Sequence, residues 1–403
     1  MSRMPGTDMH KVPAKEIKRR VEIFQRLLRD HGIGLALVRQ NADLYYFAGT
    51  VQDAHLFIPA EGEPLMLVWR SYERAVEESP LERIMPLDGL STLPKILEHA
   101  GINAENLGLE MDVLPAFFYN YYRNRSWPGI DTYDITPLIR QVRAIKSDWE
   151  IDRIRAACRQ VADALEIVPS ILKEGMNELE LAAEVEHRLR QAGHPGYSRM
   201  RGWNQELGYG QFLCGPTGAL PSWTNTPGGG KGVNPAFGIN ATDRAIRKNE
   251  PISIDLGGSV DGYLSDQTRL FCIGPLPESL RKAFDTVVSL HLEIETILGP
   301  GKISGEIYDY ALDFMCRLDY QAHFMGTGRD QVPFVGHGLG IEIDEYPFLS
   351  KGNKMVLEPG MVVAVEPKLI FPGEGMVGIE DTYLITDHGA ERLTVSPREL
   401  RQI

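Results

Sequence analysis

Five side chains have the types and spacing to do chemistry together. Asp255 and Asp266 flank a turn supplied by Gly257, Gly258 and Gly262 in SIDLGGSVDGYLSDQTR, residues 253–269. Ile252, Ile254 and Leu256 alternate onto one face of a strand, so Asp255 points to the other. Asp266 and Thr268 share a face of the returning strand. A hairpin symmetric about this turn sets 255 opposite 266, with Cβ atoms ~5 Å apart. The pattern recurs near the C-terminus. An apolar run, Met361 to Glu366, ends in a carboxylate, Pro372 and Gly373 turn the chain, and the return carries Glu380. Positions 366 and 380 are equidistant from Gly373 and can be cross-strand neighbours. Between the two hairpins lies GHGLGIEIDEYP, residues 336–347, in which glycines flank His337 and let backbone approach closely. Any one of these residues reads equally well as a turn or network residue. Together they do not, because each carboxylate pair repels by ~1 kcal/mol at 4 Å in water and by several at an effective dielectric of 20. Four carboxylates and one imidazole match an oxygen-rich site for two divalent metal ions, which would cancel that charge.

The elements that must carry these residues follow from periodicity. Glu16 to Asp30 is an amphipathic helix pattern, Gly32 to Val38 and Pro64 to Trp69 are strand signals, Leu93 to Ala100 is helical, and Leu107 to Met111 is a further strand. This predicts an α/β N-terminal domain. A junction follows at Thr136 to Ser147, where Pro137 interrupts the pattern and Arg140 to Lys146 is basic. Beyond it, Ile151, Ile154, Cys158, Val161, Leu165 and Val168 form one apolar helical stripe. Asn177 with Glu180 forms a capping box for the next helix. From Ile252 the chain turns to period-two strands with Gly-rich turns, with a helix over Glu278 to Leu298. The C-terminal domain is therefore α+β, with limits of 1–142 and 143–403 for the two domains. PGGGKG at 227–232 resembles a phosphate loop but lacks the Ser or Thr after the lysine and a following helix, so it reads as a flexible loop.

Bulk properties set the outer limits. The chain has 403 residues and a formal charge of −13, with 43% hydrophobic and 24% charged residues. That acidity argues against nucleic acid and anionic membrane surfaces as partners. No apolar run approaches the ~18 residues of a membrane span. Met1 to Ala14 has no stretch resembling a signal peptide, and Cys158, Cys214, Cys272 and Cys316 lack CxxC spacing. A cytoplasmic location is the resulting expectation.

The order Asp255, Asp266 eleven residues later, His337, Glu366 and Glu380 resembles the M24 metallopeptidases of the pita-bread fold. These include Xaa-Pro aminopeptidases, Xaa-Pro dipeptidases (prolidases) and, more distantly, methionine aminopeptidases and creatinase. The resemblance spans nearly the whole chain, including a creatinase/prolidase-like N-terminal domain and a junction ending RAIKS at 143–147. It implies that Asp255 chelates one ion, His337 with Glu366 the other, and that Asp266 and Glu380 bridge them. Thr268 and Asp381 would hold carboxylates in place. The implied cofactor is two divalent ions, manganese foremost, with cobalt, iron or zinc as alternatives. The implied reaction is hydrolysis of Xaa-Pro or similar small peptides, with Glu366 also accepting and returning a proton. Relatives being commonly dimers, a homodimer is expected.

The residues that read the substrate depart from the family pattern. Where a second histidine usually follows seven residues after the liganding one, this chain has Asp344, and four residues before it stands Pro333. Gly378 replaces a frequent arginine two residues before the last glutamate. EPKLI at 366–370 replaces EPGxY, and Ser222 in ALPS stands where a substrate histidine is expected. Two enzymatic readings follow. One is a divergent peptidase, with Arg199 and Arg201 as candidates to hold a substrate carboxylate. The other is an enzyme acting on a non-peptide small molecule. Asp344 to Pro347 resembles the M24-type dimethylsulfoniopropionate lyases, in which the corresponding Asp acts as base, whereas Gly257 stands where those enzymes carry a further liganding Asp. A non-catalytic binding protein is the third class, and the intact ligand set speaks against it.

Overall fold

The computed structural model describes residues 11–103 and 105–403; most of the Met1 to Ala14 segment discussed above lies outside them. The chain folds as two units, the first ending at Arg143 and the second beginning at Ala144.

In the first unit, strands β1 (Leu35–Val38), β2 (Ala54–Pro59), β3 (Leu65–Val68), β4 (Ile84–Pro86), β5 (Asn106–Leu109) and β6 (Asp131–Asp134) form a mixed sheet of order β4-β3-β2-β1-β5-β6. LALV and LMLV are buried at every position, as strands covered on both faces must be. The helix Ala14–Asp30 buries Ile17, Val21, Phe24 and Leu28, the stripe its periodicity predicts. Pro137 does not interrupt the chain as expected. A helix runs over Thr136–Ala144 with Pro137 in its first turn, where its missing N–H has no intrahelical partner to lose.

The second unit holds two larger sheets and a two-stranded hairpin. Strands β7 (Gly210–Cys214), β8 (Ile252–Val260), β9 (Tyr263–Cys272) and a C-terminal strand Arg401–Gln402 make the first. The helices Asp148–Leu165 and Glu178–Gln191, each with a complete capping box at Ser147 or Asn177, cover one face of it. Val161, Leu165, Leu181 and Val185 pack there against Ile252, Ile254 and Leu256, so Asp255 is left to the opposite face. Strands β10 (Phe334–Gly338), β11 (Glu345–Ser350), β12 (Val362–Val365) and two near the C-terminus make the second sheet, backed by the helices Glu278–Ile297 and Ser304–Arg317. A small hairpin, β13 (Lys368–Phe371) with β14 (Gly375–Gly378), rises from this sheet and returns as β15 (Asp381–Thr386).

The β8–β9 register differs from the symmetric pairing expected of it. Val260 pairs with Tyr263, and Asp261 and Gly262 (φ +50° and +82°) form the turn. Asp-Gly with both residues left-handed is the tight connection that the strand twist favours. Asp255 therefore opposes Thr268, and Asp266 opposes Gly257; the two carboxylates are diagonal neighbours on one face. Gly257 and Gly258 are not turn residues. They lie within β8, where a Cβ on Gly258 would come 2.3 Å from the Ala157 carbonyl oxygen. The PGGGKG segment is a loop, as read, but a packed one. Gly229 donates to the Leu220 carbonyl, and a Cβ there would meet Ser222 Oγ at 2.0 Å.

Candidate metal centre

Strand and turn geometry brings all five expected side chains, Asp255, Asp266, His337, Glu366 and Glu380, to one cavity of about 550 Å³ within the second unit. The registers Lys368↔Gly378 on one side and Val365↔Asp381 on the other place Glu366 opposite Glu380. Glu366 follows β12 and donates its N–H to the Val335 carbonyl, while Glu380 donates its own to Thr268 at 3.2 Å. These bonds tie the carboxylate turns to β10 and β9. Thr382 adds a further tie, its hydroxyl accepting from Asp266 N–H and donating to the Asp266 carbonyl.

His337 is oriented to ligate. Its Nδ1 lies 3.1 Å from the Gly338 carbonyl, which can only accept, so Nδ1 is the donor there and Nε2 is the nitrogen turned to the carboxylates. Nε2 lies 3.8 Å from Asp266 Oδ2 and 3.5 Å from Glu366 Oε1. Ligand atoms of Asp266, His337 and Glu380 all lie within 4.8 Å of one another. Glu380 Oε1 is buried without a hydrogen-bond partner, an arrangement that is costly unless a cation meets it. Burial, reinforced by Glu380, Asp255 and Glu366, pushes the Asp266 carboxyl well above the ordinary range. Burial also raises Glu380, against the opposing pull of a nearby ammonium. This corner holds more negative charge than its own residues neutralise, and its donor set suits a divalent cation.

That ammonium is Lys368, which the sequence reading passed over. Its Nζ lies 2.9 Å from Asp255 Oδ2, 2.8 Å from Glu366 Oε2 and 3.5 Å from Glu380 Oε2, with the side chain only 2% exposed. Burial alone would disfavour its charge, but the three carboxylates outweigh burial and hold its pKa well above the usual lysine value. The signal available in the sequence was the lysine of EPKLI, a cation two residues from a candidate ligand.

The supporting residues divide. Thr268 donates its hydroxyl to Glu380 Oε2 at 2.8 Å. Asp381 makes no hydrogen bond to any of the five; it accepts from Arg269 Nη2 at 2.5 Å and Arg398 Nε at 2.6 Å. Although burial alone would raise the Asp381 carboxyl, Arg269, His291 and Arg398 hold it below the usual carboxylate range. Arg269 in turn donates to the Thr268 and Glu380 carbonyls, so Asp381 positions the cage through its arginine.

Asp344 lines the cavity, and its two oxygens accept the backbone N–H of Arg201 at 2.8 Å and of Gly202 at 3.0 Å. Its carboxylate thus shapes the wall that carries Trp203 and Gln205. Arg199, Arg201 and Ser222 are not among the residues lining this cavity. Arg201 is buried with its guanidinium 3.6 Å from Glu342, Ser222 Oγ is bonded to Thr224 Oγ1, and Arg199 offers its carbonyl to Ile343 N–H. The polar wall is formed instead by Gln205, Glu206, Gln211 and Asn225, which have no signature in a single sequence.

A carboxylate–imidazole cage between two sheets, opening on a cavity of small-molecule size, suits a divalent-metal enzyme acting on a small substrate. Comparison with known proteins makes this specific. The model of metallopeptidase family M24 matches residues 152–387, and that of the creatinase/prolidase N-terminal domain matches residues 20–145. The chain belongs to metallopeptidase family M24, with the two-domain, pita-bread architecture expected of it. It is 28% identical over 388 residues to the Xaa-Pro dipeptidase of Pyrococcus furiosus, covering 95% of this chain and 100% of that one. Among solved structures, the prolidase from Pyrococcus horikoshii superposes with a TM-score of 0.80 at 27% identity, covering 95% and 99% of the two chains. The Xaa-Pro dipeptidase from Bacillus anthracis gives 0.82 at 25% identity, covering 96% and 100%.

Proposed function

We propose that this protein hydrolyses small peptides, Xaa-Pro dipeptides foremost, with a divalent cation held by Asp266, His337 and Glu380. The observation that carries the reading is the cavity. Its floor is the carboxylate–imidazole cage, its walls include Trp203, Ile239, Phe334 and Phe348, and about 550 Å³ suits a di- or tripeptide. One imidazole among carboxylates favours a hard or borderline ion, manganese or iron, over a thiolate-seeking one. When bound, such an ion supplies Lewis acidity and water activation at neutral pH.

The chain's own residues do the remainder. The Gly338 carbonyl orients the His337 ring, Thr268 fixes Glu380 Oε2, and Glu366 turns Oε1 toward His337 Nε2 while Oε2 is held by Lys368. That oxygen is placed to take and return a proton. The apolar side chains among the walls favour the ring of a proline. The names of the relatives support the same substrate class.

The test is a panel offered to manganese-loaded protein, comprising Xaa-Pro dipeptides, longer Xaa-Pro peptides and non-proline dipeptides. Cleavage of the dipeptides by at least tenfold in kcat/KM over the others is expected. Metal-loaded protein that cleaves no Xaa-Pro bond overturns the peptidase reading.

A further inference from the structure

We infer that Lys368 is a built-in monovalent cation filling one of the two cation positions of this centre, so that the protein takes a single divalent ion, at Asp266, His337 and Glu380. The inference rests on the metal-dependent reading above for the existence of that ion.

Lys368 excludes a second ion from the Asp255 side. An ion ligated by a carboxylate sits about 2.0–2.2 Å from its oxygen. Asp255 Oδ2 and Glu366 Oε2 are already met by one nitrogen, at 2.9 and 2.8 Å. A cation between these oxygens would have to occupy the place of Nζ. An ammonium has three N–H donors, and three carboxylates surround this one, the third at 3.5 Å. None is left to reach into the cavity, so Lys368 acts as a fixed charge and not as a ligand for substrate.

The lysine also has a berth made for it. Lys368 pairs with Gly378 across the β13–β14 hairpin, and a Cβ on Gly378 would stand 2.6 Å from Lys368 Cγ. Any side chain at 378 would push the lysine out of line. The Lys368 carbonyl also accepts from Met325 N–H at 2.9 Å, so the strand itself is pinned.

The two glutamates split their oxygens accordingly. Glu366 gives Oε2 to Lys368 and turns Oε1 toward His337. Glu380 gives Oε2 to Thr268 and Lys368 and leaves Oε1 buried and unpartnered. Both glutamates thus bridge from the ammonium to the His337 side. An ammonium has no vacant orbital. It can neutralise a carboxylate as an ion does, but it cannot bind water or polarise a carbonyl. The centre therefore has one Lewis-acid position, and the second is reduced to charge.

Metal stoichiometry decides the matter. Metal-stripped full-length protein is titrated with Mn²⁺ alone, bound metal is counted by atomic emission after dialysis, and the electron paramagnetic resonance spectrum is recorded. Wild type is expected to bind one equivalent and give the six-line spectrum of an isolated ion. Lys368→Gly, checked for native circular dichroism, is expected to bind two and give the spectrum of a coupled pair. Two equivalents with coupling in wild type overturn the lysine inference and leave the metal-dependent reading standing, whereas no binding in wild type overturns both. One equivalent in folded Lys368→Gly also overturns the inference. If that variant fails to fold, the wild-type count and spectrum decide alone.

Discussion

The two flanks of the centre each draw on two carboxylates and stand in opposite states. On the β8–β13 flank, Asp255 and one oxygen of Glu366 are closed around Lys368. On the β9–β10 flank, Asp266, His337 and the free oxygen of Glu380 converge with no cation of their own among the described residues. Carboxylate count does not distinguish these flanks, and neither does burial. The difference is a single ammonium, and it decides which flank is complete and which awaits a ligand. A buried cage of like charges is therefore best read by asking where each oxygen's partner is, atom by atom.

The strongest way to break this contrast is to remove the ammonium. Lys368→Met keeps most of the volume and leaves three buried carboxylates without their cation. Breaking a buried charge cluster from one side costs about 3–5 kcal/mol. The metal-free variant should lose that much stability to urea at neutral pH, and saturating Mn²⁺ should restore part of it. A loss below about 1 kcal/mol would mean that Lys368 does not neutralise its flank.

Much of this arrangement was legible in the sequence, and the illegible part has identifiable causes. The apolar stripe from Ile151 to Val168 and the Ser147 and Asn177 caps are local signals, and local signals survive into the fold. The glutamate hairpin was readable because its register is set symmetrically about a turn at Gly373, which takes φ +83°. The aspartate hairpin was misregistered because glycines inside a strand imitate a turn. Gly257 and Gly258 are there so that Ser198 and the helix at Ala157 can come close, a tertiary requirement that the local pattern does not carry. Lys368 and Gly378 were visible as two separate departures from the family pattern. Only their cross-strand pairing makes them one feature, a side chain and the space it needs. Arg201 is the converse case: a charged residue beside the cavity wall suggests a substrate grip, yet its guanidinium is turned to a buried glutamate.

A second contrast lies behind the sheet. His291 holds the residue before Glu366, its Nε2 meeting the Val365 carbonyl at 3.0 Å, with Tyr383 Oη at 3.3 Å from Nδ1. Burial lowers its pKa from 6.5 to about 4, outweighing the attraction of Asp381. The unfolded chain takes up this proton below about 6.5, and the folded chain only below about 4. Between those values the unfolded state holds more protons, so stability is lost as pH falls. His291→Gln should flatten that dependence, removing up to about 3 kcal/mol of the acid-induced loss by pH 4. Urea midpoints at pH 7.5, 6 and 4.5 for the two proteins check it, and parallel profiles would clear His291 of the role.

The smallest expected effect tests the open flank by its support alone. Thr268 holds Glu380 Oε2 at 2.8 Å, which leaves Oε1 aimed into the cage. Thr268→Val keeps the shape of the side chain on β9 and removes only the donor. Loss of such a supporting hydrogen bond typically weakens metal binding by about 10–100-fold. Because Lys368 still contacts Glu380 at 3.5 Å, the lower end of that range is expected here. Isothermal titration with Mn²⁺ gives the affinity directly. The sharper outcome is in the stoichiometry. If Thr268 serves only the His337 flank, Thr268→Val binds the same number of ions more weakly. An unchanged affinity would instead mean that Lys368 and the Thr268 carbonyl, which accepts Glu380 N–H, suffice to orient Glu380 without the hydroxyl.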